Sequence, residues 1–244
     1  MFIMIFIEQL YAELHKERNL RLPKFRTSPF YIFNSNVAGA LMLPTLKYGP
    51  ETDDDWAVSD TAFLHQAAIT QIVTSLEVYY ESVFRNLSSN LKLSQIEPAV
   101  LVRFIRENKL SNELLSAIEQ KATINVRLSD VVPAYFSFQQ KDKIKGTMAL
   151  VKLDPISSYG AEWERTFGNK EDSTLRLRHA FVHGGTDVER VLRLVLKENK
   201  FVTNRIKDAI VLVANLETQI HEKYSRIKAL FPMRVGSKRQ KGTR

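Results

Sequence analysis

The sequence predicts an all-α protein: a helical bundle built around two long helices, with an irregular N-terminal elaboration. Three observations predict it. Apolar residues recur at i, i+3, i+4 and i+7 over two long stretches, 61–87 and 203–230. Glycine and proline are scarce, 9 and 8 in 244 residues, so little interrupts a helix. The strand–helix alternation of a nucleotide-binding α/β sheet is missing.

The chain opens on "MFIMIFIEQLYAELHKE". Its apolar run is seven residues long, lacks a leading Lys or Arg and a small-residue cleavage site, and passes straight into Glu8 and Gln9. That is too short to span a bilayer and is not built as a secretory leader. It predicts a mostly buried helix, one suited to covering a dimer surface. No other stretch approaches membrane length, so a soluble protein with no membrane partner is expected. Residues 18–58 carry prolines and asparagines without a sustained period, and are expected to be irregular, with room for a short strand pair.

The clearest helix is Thr61–Leu87, with Ser59 or Asp60 as its cap and an apolar stripe at 69, 72, 73, 76, 80, 83, 84 and 87. At 1.5 Å per residue it would be about 40 Å long, the spine of the domain. Shorter helical pieces follow. "SQIEPAVLVRFIREN" opens on Ser94 and Glu97 in capping-box spacing, then come "SNELLSAIEQKA", "LSDVVPAYFSF" and "KDKIKGTMALVKL". Pro155, Gly160 and Gly168 mark a second irregular stretch. A helix is then expected from a cap at Asp172 or Ser173 to a stop at Gly184, packed between the two long ones. The last helix, Thr203–Leu230, has its stripe at 206, 210, 213, 216, 220, 224 and 227.

The formal charge is +8, of which the segment 232–244 carries +5 with no acidic residue, leaving +3 for the body. A flexible basic arm of this kind holds phosphate backbones without reading sequence, or simply keeps the end solvated. The expected organisation is an N-terminal helix and irregular elaboration over 1–58, a helical domain over 59–231 and the basic tail over 232–244. There is no cysteine, which excludes disulfides, thiolate metal sites and cysteine nucleophiles, and fits a reducing, cytoplasmic setting.

Several chemistries are excluded by missing motifs: no G-x-G-x-x-G, no phosphate-cradling P-loop, no G-x-S-x-G elbow and no H-E-x-x-H. Five histidines remain. His15 and His221 sit on charged helix flanks, and His65 lies near the start of the spine helix. The stretch "STLRLRHAFVHGGTD" (173–187) holds the other two. His179 and His183 are an i, i+4 pair, a spacing that can grip a metal, but the nearest third ligand, Asp187, lies beyond two glycines. A second reading pairs His183 with Arg178, or with Arg176 at the longer spacing. A third is a basic helix end with a glycine stop, favourable to the helix dipole without any catalysis.

"RHAFVHGG" resembles the R-x(4–6)-H signature of the HEPN superfamily (higher eukaryotes and prokaryotes nucleotide-binding domain), with a polar residue after the arginine and apolar residues before the histidine. "TSLEVYYESVF" is similar to the long helix that precedes the motif in prokaryotic members, and Thr203–Leu230 to their closing helix. The resemblance covers roughly residues 60–230; residues 18–58 have no counterpart in it. It implies an all-α domain that dimerises with the two motifs facing each other, and a metal-independent RNA endonuclease of toxin or antiviral systems. No metal or cofactor is implied. An antitoxin or defence-system protein is the implied partner besides RNA. In the roles it implies, His183 takes the proton of a ribose 2′-OH and Arg178 holds the phosphate. His179 orients the pair or serves as a second proton-transfer group, and Glu77 supports from the spine helix. Some members are non-catalytic adaptors, so a helical nucleic-acid-binding or protein-adaptor module is the alternative.

Overall fold

The computed structural model describes residues 2–20, 23, 26–45, 55–89, 91, 96, 99–101, 104, 127–129, 132, 138–183 and 200–224. Among them the regular structure is all-α: α1 (Phe2–Arg18), α2 (Ser28–Met42) with a 3₁₀ turn at Leu43–Thr45, α3 (Asp55–Ser88), α4 (Lys141–Leu150), α5 (Gly160–Phe167), α6 (Thr174–His183) and α7 (Phe201–Tyr224). No strand occurs among the described residues. The expected helical pieces between residues 94 and 137 lie almost wholly outside the described residues, as do the end of the last helix past 224, the basic tail 232–244, Gly184 and Asp187.

The spine stripe is core throughout and the α7 stripe is core through Ile220, while Tyr224 is half-buried and position 227 lies outside the described residues. All eight spine positions, from Ile69 to Leu87, are buried, as are Ile206, Ile210, Val213, Leu216 and Ile220 on α7. The spine is longer than its caps suggested. α3 begins at Asp55 and runs 34 residues, about 50 Å at 1.5 Å per residue, so Ser59 and Asp60 lie inside it.

The N-terminal elaboration is not irregular throughout. Residues 28–42 form a helix, capped by Thr27, whose Oγ1 accepts from the Phe30 N–H (3.3 Å), with Pro29 in the first turn. The helix escaped the periodicity test because it is apolar on nearly every side. Phe30, Phe33, Asn34, Val37 and Ala38 are buried along one face, but apolar Tyr31, Ile32 and Met42 stand on the exposed side and blur the stripe in the sequence. It packs against α1, α3 and α7, so residues on either side of position 58 share one core. Gly39 permits the close approach to α3: a Cβ there would meet Gln71 Nε2 at 2.9 Å. The same amide donates to the Asn36 carbonyl (2.8 Å).

Two buried carboxylates tie the layers together. Glu217 of α7 accepts from the Thr27 N–H (2.8 Å), the Thr27 hydroxyl (2.6 Å) and the Tyr79 hydroxyl (2.9 Å), joining α7 to the α2 cap and to α3. Burial pushes its carboxyl above the ordinary range, against the pull of those donors. Asp208, also on α7, accepts a two-pronged contact from Arg165 of α5 (2.8 and 2.7 Å) and one from Arg18 of α1 (3.2 Å).

α6 does not lie between the two long helices. Among the described residues it rests mainly on α3 and α5, and α7 meets its N-terminal approach, where Arg205 donates to the Asp172 carbonyl (2.9 Å). No helix among the described residues is long and apolar enough to cross a membrane.

Candidate functional site

The local sequence explains where α6 begins. Ser173 caps it: its carbonyl accepts from the Leu177 N–H (3.0 Å) and its hydroxyl from the Arg176 N–H (3.4 Å). Ser173 Oγ also donates to the Gly168 carbonyl (2.8 Å), anchoring the cap to the end of α5. Leu175 and Leu177 sink into the core and set the rotation of the helix. Arg176 is thereby turned to solvent, while Arg178 and His179 are half-buried and His183, in the last turn, is exposed.

That rotation separates the two arginines. Arg176 is exposed, and its side chain makes no hydrogen bond among the described residues. Arg178 points inward and donates from Nη1 to Gln139 Oε1 (3.2 Å), while Gln139 Nε2 donates to Glu77 Oε2 (2.7 Å). The direction of this chain follows from chemistry. A guanidinium only donates and an ionised carboxylate only accepts, so the amide between them has one orientation that satisfies both. Gln139 therefore links Arg178 to Glu77 without placing a carboxylate directly on the guanidinium, which keeps its charge for another anion. Arg178 Nε is buried and has no acceptor among the described residues, a donor left over in a confined place.

The histidines form a second pair on an adjacent face of the same helix. Their rings stack, with centroids 5.7 Å apart and planes 19° from parallel. His179 is held below its ordinary pKa of 6.5, first by burial, then by the positive charge of Arg178 and by His183 and Arg176. Its neutral form is favoured accordingly. Among the described residues no three His, Cys, Asp or Glu side chains converge as metal ligands.

The structure thus brings Glu77 and Arg178 into one chain and His179 and His183 into one stack. It shows no direct hydrogen bond between Arg178 and His183. Of the remaining histidines, His15 is exposed and His65 half-buried on α3, both away from this pair in sequence and element. Gln139, in the turn before α4, was missed by sequence reasoning. No period or spacing connects position 139 with 77 or 178; only the folded chain makes them neighbours. No protein-family model, curated protein or solved structure matches the chain.

Proposed function

We propose that this protein is a metal-independent RNA endonuclease of HEPN type, working as a homodimer in a toxin or antiviral defence system. The observation that carries the reading is the Glu77–Gln139–Arg178 chain. It positions one of two candidate arginines, without neutralising it, in the helical turn that leads to His183. In the proposed reaction a ring nitrogen of His183 takes the proton of a ribose 2′-OH. The 2′-oxygen attacks the adjacent phosphorus, the bond to the 5′-oxygen breaks, and that oxygen takes a proton from the partner's His183. The products are a 2′,3′-cyclic phosphate and a 5′-hydroxyl. Arg178 stabilises the charge that builds on the phosphoryl oxygens. His179, stacked on His183, orients that ring, and burial beside Arg178 favours its uncharged form.

The test is incubation of purified protein with total RNA in EDTA, followed by analysis of product ends. Wild type is expected to cut and to leave cyclic phosphates. His183→Ala and Arg178→Ala should each lower the rate by about 100-fold or more, whereas Arg176→Ala leaves it within about twofold, the small effect expected of an exposed group outside the site. Cleavage that persists in His183→Ala, or that only added metal restores, defeats the mechanism. RNA binding with no cleavage by wild type would identify a binding module instead.

A further inference from the structure

Beside the motif an open groove of about 400 Å³ runs between α3 and α6. Phe63, Gln66, Thr70 and Thr74 form its α3 wall at helical spacing, and Phe181 and Val182 face them from α6. We propose that this groove holds one unpaired nucleobase of the RNA strand whose phosphate sits at Arg178 and His183, an inference that rests on the ribonuclease reading above.

The lining matches a base in three ways. First, it offers a flat apolar face: Phe63 is 66% exposed and Val182 50%, although both carry large apolar side chains. A base can stack on Phe63 whatever its identity, since every base has a π-face. Second, it offers polar edges that are uncommitted. The hydroxyls of Ser75, Ser88, Thr147 and Thr218 all bond back to a carbonyl of their own helix, the usual resting place of a helical hydroxyl. Those of Thr70 and Thr74 make no such bond, and neither they nor the Gln66 amide have a hydrogen-bond partner among the described residues. Hydroxyls and amides both donate and accept, so they suit the mixed edge of a base. Third, among the described residues no charged side chain lines the groove, which suits a neutral ring.

Size and position agree. The volume falls at the small end of the range for small-molecule sites, and the opening is far smaller than the roughly 800 Å² per partner of a standard protein interface. Phe181 and Val182 lie between Arg178 and His183 on α6, about one helical turn (about 5.4 Å) beyond Arg178. On α3, Thr74 is one turn short of Glu77. The Thr74 end of the groove therefore lies beside the Glu77–Gln139–Arg178 chain, while Phe63 stands about 21 Å from Glu77 along α3, so a strand with its phosphate at Arg178 runs along the groove and brings a base a few nucleotides away against Phe63.

The test uses the full chain and short 2′-O-methyl RNAs, which cannot be cleaved by 2′-OH attack, with binding read by fluorescence anisotropy in EDTA. An abasic position is walked along the strand. At one position its loss should weaken wild-type binding by about 10-fold, the order expected for one base–aromatic stack. Phe63→Ala should weaken the intact strand by a similar factor and become indifferent to the abasic position. Gln66→Met, which keeps the side-chain length one turn from Phe63, should alter which base is preferred there. Phe63 is exposed, so its replacement leaves the core intact, and helix content by circular dichroism confirms this. Wild type that binds abasic and intact strands alike, or no strand at all, overturns the proposal, as does Phe63→Ala with full sensitivity to the missing base. Conversion of a dimer to monomers by Phe63→Ala, with RNA affinity unchanged, would show the groove to be a self-interface and also overturn it. Base-dependent binding without cleavage of ordinary RNA would defeat the endonuclease reading and leave the base site standing. Cleavage that needs Arg178 and His183 but ignores Phe63 would do the reverse.

Discussion

At the scale of single residues, the informative contrast is between Arg176 and Arg178. They are two positions apart and chemically identical, yet only Arg178 is gripped by an amide. If Gln139 positions Arg178, Gln139→Ala should lower kcat about 10-fold with KM nearly unchanged, because the guanidinium loses its orientation but not its charge. Gln139→Glu should do more harm than Ala. It would put a single negative charge between Glu77, which it repels, and Arg178, which it pairs, and steady-state kinetics on a defined RNA would separate the two variants. His179 supports a second prediction. Its folded pKa lies below the ordinary 6.5, so just under that pH the unfolded chain binds a proton that the folded chain refuses. Stability contributed by this ring is therefore present above pH 6.5, is lost as pH falls below it, and levels off once the folded ring is protonated as well. Urea midpoints of wild type and His179→Gln should run parallel above about pH 7.5 and converge or cross below about pH 6; a constant offset across that range would refute the assignment.

At the scale of elements, α7 is the piece to which others are fastened. Asp208 is almost fully buried and takes Arg165 from α5 and Arg18 from α1. Asp208→Asn keeps the shape but leaves three guanidiniums, those of Arg165, Arg18 and Arg205 (3.9 Å), facing a neutral amide, one of whose groups is itself a donor. A loss of about 3 kcal/mol is expected, toward the low end for a broken buried pair because Arg165 and Arg18 keep some contact with water. A denaturation midpoint within error of wild type would sink this view of the network. The elements also show what periodicity can and cannot reveal. The stripes of α3 and α7 were legible because one side of each helix meets solvent, so the apolar residues fall into a repeat. α2 was not, because apolar Tyr31, Ile32 and Met42 on its exposed side blur the repeat of its buried face. Its Thr27–Ser28–Pro29 start was the remaining readable signal.

At the scale of the whole molecule, charge and assembly govern how RNA would be met. The segment 232–244 carries five basic residues. If it touches phosphates, its deletion should flatten the slope of log affinity against log salt by up to about 3.5 for single-stranded RNA. Cleavage chemistry at Arg178 and His183 would be untouched. A slope unchanged by the deletion would show that the tail does not touch the strand. The sequence by itself determined the helical class, the two long helices and the buried stripe of each, since these depend on local spacing and on which residues avoid water. It also offered His179 and His183, with Arg178 or Arg176, as candidates, and the resemblance to the HEPN signature added Glu77. Only the tertiary structure decided that α2 is core, that α6 sits on α3 and α5, and that Gln139 joins Glu77 to Arg178. Those outcomes depend on contacts between residues tens of positions apart in the chain, and no repeat in a single sequence records which distant side chains will share one pocket.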